Sequence, residues 1–165
     1  MARFAARHSI ARKHDHARCV EVALADAESI CDQRGVRLTE LRRRTLQLIW
    51  RAHRAVKAYD LLAQLGGSGK PVKPTTVYRA LEFLLSEGLI HRVESMNAFV
   101  ACSAPAESHE SVLLLCEACG FVEEITVPEL GRVITRCVSA TDFVLSRAVV
   151  EVRGHCGPCR RAAVA

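Results

Sequence analysis

Aromatic side chains are scarce in this sequence: one Trp, two Tyr and five Phe in 165 residues. Half of the chain is hydrophobic all the same, so Leu, Val and Ala must supply most of any core. Long hydrophobic runs are missing as well. No apolar stretch reaches the roughly 18 residues that a spanning helix needs, which excludes that class of membrane protein. Residues 1–17 are rich in Arg and His. They lack the apolar segment of about 7 residues that a secretory signal requires. A cytoplasmic location is therefore expected. Neither a Gly-rich phosphate loop nor a nucleophile paired with a base is found, and both absences weigh against an enzyme. Apart from two similar cysteine pairs, no internal repeat stands out.

What the chain does contain is eight cysteines and an uneven distribution of charge. The net charge is +5, but residues 1–100 hold 17 Lys and Arg against 10 Asp and Glu, while residues 101–165 hold 6 against 8. A basic front half suits an anionic partner, nucleic acid being the commonest, although a solvated basic face explains it equally well. Cysteines in a cytoplasmic chain point to metal before disulfide. The length allows one domain or two small ones.

Residues 1–17 show no apolar periodicity and read as a basic flexible tail. From about 18 to 34, Val20, Val22, Leu24, Ala27, Ile30 and Cys31 mostly fit one helical stripe, which Gly35 ends. Thr39 is placed to cap a second helix carrying Leu41, Leu46, Leu48, Ile49 and Trp50, with the arginine run Arg42 to Arg44 early on it. A third helix spans roughly 58–65, followed by a breaker-rich segment at 66–74. Pro74 suits the first turn of a fourth helix, and Gly88 closes it. On that helix Val77, Ala80, Leu81, Leu84 and Leu85 share one side, with Thr75, Thr76, Tyr78, Arg79 and Glu82 on the other.

Two short strand-like runs, Leu89–Val93 and Ala98–Cys102, complete a winged helix-turn-helix pattern over residues 18–102. Residues 103–108, small and polar with a proline, read as a hinge. Beyond it come strands at Ser111–Leu115 and Phe121–Val127, a helix from Pro128 to about Ala140, and a strand at Phe143–Val152. The expected fold is α+β, with the winged helix first and a small α/β unit over residues 109–165.

Cys116/Cys119 and Cys156/Cys159 are two Cys-x-x-Cys pairs at the two ends of that second unit. A two-residue gap lets both thiolates of a pair face one ion, and two pairs complete a tetrahedron suited to structural zinc. The spacer of 36 residues between the pairs exceeds the roughly 15–20 of a zinc ribbon, so it must fold as its own helix and strand. A dithiol redox centre would need only one pair. Four further residues, His91, Cys102, His109 and Glu124, flank the hinge. Two imidazoles, a thiolate and a carboxylate suit zinc better than magnesium or manganese. Drawn from both sides of a hinge, such a set fits a sensor. Each residue alone is as well explained by packing or exposure, and His109 with Glu124 also fits an acid–base pair on a catalytic zinc. A zinc-ribbon adaptor that binds protein is a further alternative.

Five stretches carry a resemblance that spans about residues 20–160. They are Val36-Arg37-Leu38-Thr39 with Arg42, Ala58-Tyr59-Asp60-Leu61-Leu62, Pro74-Thr75-Thr76-Val77-Tyr78-Arg79-Ala80-Leu81, His91-Arg92-Val93-Glu94-Ser95 and Cys116-Glu117-Ala118-Cys119-Gly120. Together they resemble the ferric uptake regulator superfamily, and within it the zinc uptake regulators. The resemblance implies a homodimeric repressor with an N-terminal DNA-binding domain and a C-terminal dimerisation domain. Zinc would be its corepressor, a palindromic double-stranded DNA operator of zinc-acquisition genes its partner, and it would take no organic substrate.

Iron and peroxide sensors of the superfamily carry a His-rich run before the first cysteine pair; here Ala106-Glu107-Ser108-His109-Glu110 has one histidine. The His, Cys, His, Glu set of the zinc sensors maps onto His91, Cys102, His109 and Glu124. Two zinc ions per chain are thereby implied, one structural and one regulatory. By the same resemblance the fourth helix enters the major groove. Arg79 would make bidentate contacts to guanine, and Tyr78 would lie against a neighbouring base. Thr76, Tyr59, Arg42 and Lys73 would meet phosphates. The basic tail departs from the family's usual start and would add salt-sensitive, non-specific affinity.

Overall fold

The computed structural model describes residues 16–52, 54–67, 72–106, 111–145 and 148–163; the tail expected at 1–17 falls almost wholly outside them. The chain separates into two compact units between Ala106 and Glu107. No helix among the described residues is long and apolar enough to cross a membrane.

The first unit is a winged helix-turn-helix: α1 (His16–Gln33), α2 (Glu40–Ala52), α3 (Ala58–Gly66) and α4 (Pro74–Ser86), then β1 (Ile90–Val93) and β2 (Ala98–Ala101). Its core is aliphatic, as the scarcity of aromatics requires. Leu24, Leu46, Ile49, Leu61, Leu65, Leu81, Leu84, Leu89 and Ile90 are all fully enclosed. Burying each such side chain contributes about 1.5–3 kcal/mol, before the chain entropy that opposes it. Thr45 is buried among them and donates its hydroxyl to the Leu41 carbonyl at 2.8 Å. That bond removes the penalty of an unsatisfied polar group. The α1 stripe differs from expectation at Val22, which is 53% exposed. Val22 lies two residues from both Val20 and Leu24, so a turn of 3.6 residues carries it to the opposite side.

Gly35 and Gly88 both have φ +66. They end α1 and α4 in the same way, with Val36 donating to the Cys31 carbonyl at 3.0 Å and Leu89 to the Leu84 carbonyl at 2.9 Å. This left-handed cap is open to glycine at little cost. At Gly88 it turns the chain directly from α4 into the hairpin. β1 and β2 pair antiparallel, His91 opposite Val100. Val56 exchanges both backbone bonds with Phe99 and adds a rung on the other edge of β2.

The second unit contains β3 (Ser111–Cys116), β4 (Val122–Thr126), α5 (Pro128–Ser139), β5 (Val150–Gly154) and α6 (Gly157–Ala162). The sheet order is β4-β3-β5, with β3 antiparallel to β4 and parallel to β5. The strand expected over 143–152 is displaced, and Phe143 and Val144 are 69% and 87% exposed. Alternating apolar residues there suggest a strand, but it is the register with β3, Val112 to Val150 through Cys116 to Gly154, that selects the paired residues. The α6 turn was not expected from the sequence.

Leu84→Ala deletes a side chain with no exposed surface, on the buried face of α4. It is expected to lower stability by about 2–5 kcal/mol, read as a shift of the urea midpoint followed by far-UV circular dichroism.

Candidate metal centre and recognition helix

Cys116 ends β3, and the turn Glu117-Ala118-Cys119-Gly120 folds back on it. Gly120 donates to the Cys116 carbonyl at 3.0 Å, and Cys116 to the Phe121 carbonyl at 2.8 Å. The parallel β3–β5 pairing then places Cys116 beside Gly154, and Glu117 donates to the Gly154 carbonyl at 2.8 Å. From there the chain needs only two residues to reach Cys156. Its own turn, through Gly157 and Pro158 into α6, presents Cys159. The sulfur atoms of Cys116, Cys119, Cys156 and Cys159 all lie within 4.8 Å of one another.

The Cys119 and Cys156 sulfurs are 3.7 Å apart. A zinc–sulfur bond of about 2.3 Å makes the edge of a regular tetrahedron about 3.8 Å. A disulfide needs about 2.05 Å, and all four thiols are free. The donor set therefore fits a closed four-thiolate zinc site. Charge leads to the same conclusion. The Cys156 N–H, 3.3 Å from the Cys116 sulfur, lowers the Cys116 pKa to about 6, with further help from the Cys119 N–H. Cys159 is pushed the other way, to about 12, by the sulfurs of Cys156 and Cys119 and by burial. One thiolate thus forms readily and the next ones do not, unless a cation neutralises the cluster.

The second expected set is distributed over both units. His91 lies on β1 and is half-buried; Cys102, fully buried, follows β2 and donates its N–H to the Leu89 carbonyl at 3.1 Å. Residues 91 and 100 are paired, and 89 and 102 continue the same register. His91 and Cys102 are therefore diagonal neighbours on one face of the hairpin. A ring nitrogen of His91 and the Cys102 sulfur lie within 4.8 Å of each other. Glu124 is a half-buried residue of β4, and its carboxylate accepts a hydrogen bond from the Ser111 hydroxyl on β3. His109 lies outside the described residues.

On α4 the residues Thr75, Thr76, Tyr78, Arg79 and Glu82 are exposed, while Val77, Ala80, Leu81 and Leu84 are buried. Tyr78 is 55% exposed, and Tyr59 on α3 is 78% exposed. Lys73, immediately before α4, is exposed too. Arg42 differs from these. It is half-buried, with its guanidinium 3.5 Å above the centroid of the Phe83 ring and one N–H donating to the Arg37 carbonyl at 2.6 Å. The stacking on Phe83 was not expected. Its sequence signal is faint: Phe83 falls one turn after Arg79, at the edge of the buried stripe.

A winged-helix unit followed by a compact unit with four clustered thiols defines a class of two-unit winged-helix proteins with a candidate metal centre. This chain belongs to the Ferric uptake regulator family, whose sequence model matches residues 33–153. It is 40% identical over 137 residues to the zinc uptake regulation protein of Escherichia coli (strain K12), covering 82% of this chain and 80% of that protein. A solved structure described as a zinc uptake regulator complexed with zinc and DNA superposes with a TM-score of 0.85 at 37% identity. The match covers 88% of this chain and 98% of that one. A crystal structure of holo XcZur superposes with a TM-score of 0.78 at 36% identity, over 84% of this chain and 96% of that one.

Cys156→Ser removes one corner of the four-sulfur set. Because even the outer partners of metal ligands contribute 10- to 100-fold to affinity, loss of a ligand is expected to weaken zinc binding by more than about 100-fold. Elemental analysis after mild chelation should show about one zinc per chain fewer than wild type.

Proposed function

We propose that this protein is a zinc-responsive transcriptional repressor, with zinc as corepressor, acting as a homodimer on palindromic operators of zinc-acquisition genes. The observation that carries the reading is the His91–Cys102 pair. Soft nitrogen and sulfur donors suited to zinc share one face of a hairpin that begins directly after the Gly88 cap of α4. A ligand bound there acts on the element that follows the recognition helix. The names of the similar proteins, one of them solved with zinc and DNA, support the same reading.

Two zinc ions per chain are assigned. Cys116, Cys119, Cys156 and Cys159 hold the first, which stabilises the second unit and leaves no open position for a substrate. His91 and Cys102 from the winged helix (18–102), with His109 and Glu124 from the second domain (109–165), hold the regulatory ion. Their convergence across the hinge at 103–108 fixes the angle between domains and so the separation of the two recognition helices in a dimer. Without it the domains reorient, and the cost of ordering them is subtracted from DNA binding. The dimer surface is drawn from the exposed apolar residues of the second unit, among them Val133, Phe143, Val144, Leu145 and Val152.

On DNA, α4 occupies the major groove, with Arg79 reading guanine and Tyr78 an adjacent base. Thr76, Tyr59 and Lys73 contact the backbone and set the register. The basic tail at 1–17 adds non-specific affinity. The protein works in the cytoplasm, where its operator is. Family membership places it with regulators and not with enzymes.

Gel-shift titration in buffered zinc tests this. Zinc is expected to tighten operator binding by roughly 5- to 150-fold, the usual range of a coupling between two sites. Cys102→Ser should abolish that gain while leaving a folded dimer with a full four-cysteine site. Equal affinity at high and low zinc, with the four-cysteine site occupied throughout, would sink the proposal.

A further inference from the structure

We infer that Arg42 is a positioning residue for the recognition helix and makes no contact to the DNA backbone. The inference rests on the DNA-binding reading given above. In sequence, Arg42 opens a run of three arginines, the pattern of a phosphate-binding patch. The fold uses it otherwise. Arg42 sits in the first turn of α2, and its guanidinium carbon lies over the Phe83 ring of α4, 3.5 Å from the centroid. In the same position it donates to the Arg37 carbonyl, at 2.6 Å, in the segment that joins α1 to α2. The next arginine, Arg43, is also committed internally, pairing with Glu28 of α1 at 2.6 Å. Both charges face protein groups.

The consequence lies four residues away. Arg79 and Phe83 are at i and i+4 on α4, so they occupy one strip of the helix surface a single turn apart. Phe83 is half-buried at the margin of the core, and Arg79 is exposed. The aliphatic stripe of Val77, Leu81 and Leu84 holds α4 down but resists rotation about the helix axis weakly, since rounded aliphatic side chains repack at small cost. A flat ring pinned by a flat cation that is itself tied to the Arg37 carbonyl resists that rotation. It thereby sets the direction in which Tyr78 and Arg79 leave the helix. Only a guanidinium can do this: its faces stack on the ring while its edge donates in plane, which the compact ammonium of lysine cannot reproduce.

The test uses full-length, zinc-loaded protein and two DNA duplexes. One is the sequence that wild-type protein selects from a randomised pool; the other is a shuffled duplex of equal composition. Affinities are read by fluorescence anisotropy over a salt series. Arg42→Lys and Arg42→Gln are both expected to weaken binding to the selected duplex by about 3- to 30-fold, the range of a partly buried cation–π contact. Binding to the shuffled duplex should stay within about twofold, and the slope of log K against log salt should match wild type. Phe83→Leu should show the same loss, the Arg42→Lys/Phe83→Leu double variant should be no worse than either alone, and Phe83→Tyr should behave as wild type.

A phosphate contact gives the opposite pattern. Arg42→Lys would then bind normally, while Arg42→Gln would weaken both duplexes alike and lower the salt slope by about 0.9. That result overturns the inference, as does wild-type binding to both duplexes by every Arg42 variant. If Arg42→Gln does not fold, the charge-conserving Arg42→Lys carries the comparison. Wild-type protein that selects no sequence from the pool overturns the DNA-binding reading first, and this inference with it.

Discussion

Four sulfur atoms within 4.8 Å of one another cannot all carry negative charge unless a cation stands between them, and the second unit is arranged around that constraint. Its sheet encloses few large side chains, chiefly Val112, Leu113, Leu115 and Val122, and α5 buries only Gly131 completely. So small a core stabilises a unit of this size weakly, and a metal clip is one of the usual remedies. The position of β5 and the gathering of the four sulfurs go together. Cys156 can reach Cys116 only if Gly154 lies beside the end of β3, and the parallel register delivers that. With β5 paired to β3 from Val150 onward, residues 143–145 are left outside any strand, with Phe143 and Val144 largely exposed.

The winged helix solves a different problem. α4 must be held firmly on one side and left free on the other. Val77, Ala80, Leu81 and Leu84 do the holding, and Thr76, Tyr78 and Arg79 remain in solvent. Phe83 lies at the boundary, which is why an arginine from another helix can act on it. Gly88 then passes the chain without a spacer into the hairpin that carries His91 and Cys102. The exposed face of α4, the ring of Phe83 and the His91–Cys102 pair thus follow one another along α4 and the hairpin, residues 74–102. An effect at the hairpin therefore has a short covalent and packed route to the helix.

Much of this was legible in the chain. The bounds of α4 come within a residue or two because Pro74 and Gly88 punctuate it, each for a local backbone reason. The diagonal placement of His91 and Cys102 follows from two-residue alternation once the hairpin is recognised. The cysteine pairs announce a shared ion through their spacing. The strand near residue 150 is less legible, because apolar alternation says that a segment can pair, not with what. Val22 is the apolar residue that does not fit the α1 stripe, because the helical turn carries it to the exposed side.

Periodicity and spacing along the chain are enough for most of the local elements, the two-unit order and the chemistry of the cysteine pairs. All of these depend on periodicities of two and 3.6 residues or on ligand spacing within a turn. That β5 runs parallel to β3 and that Arg42 lies on Phe83, 41 positions further along the chain, emerges from the packed fold alone. The physical reason is that a guanidinium interacts favourably with a phosphate, a carbonyl or the face of a ring. Nothing in its own neighbourhood of sequence selects among them. The packing of α2 against α4 brings the ring within reach, and that packing is a property of the whole core.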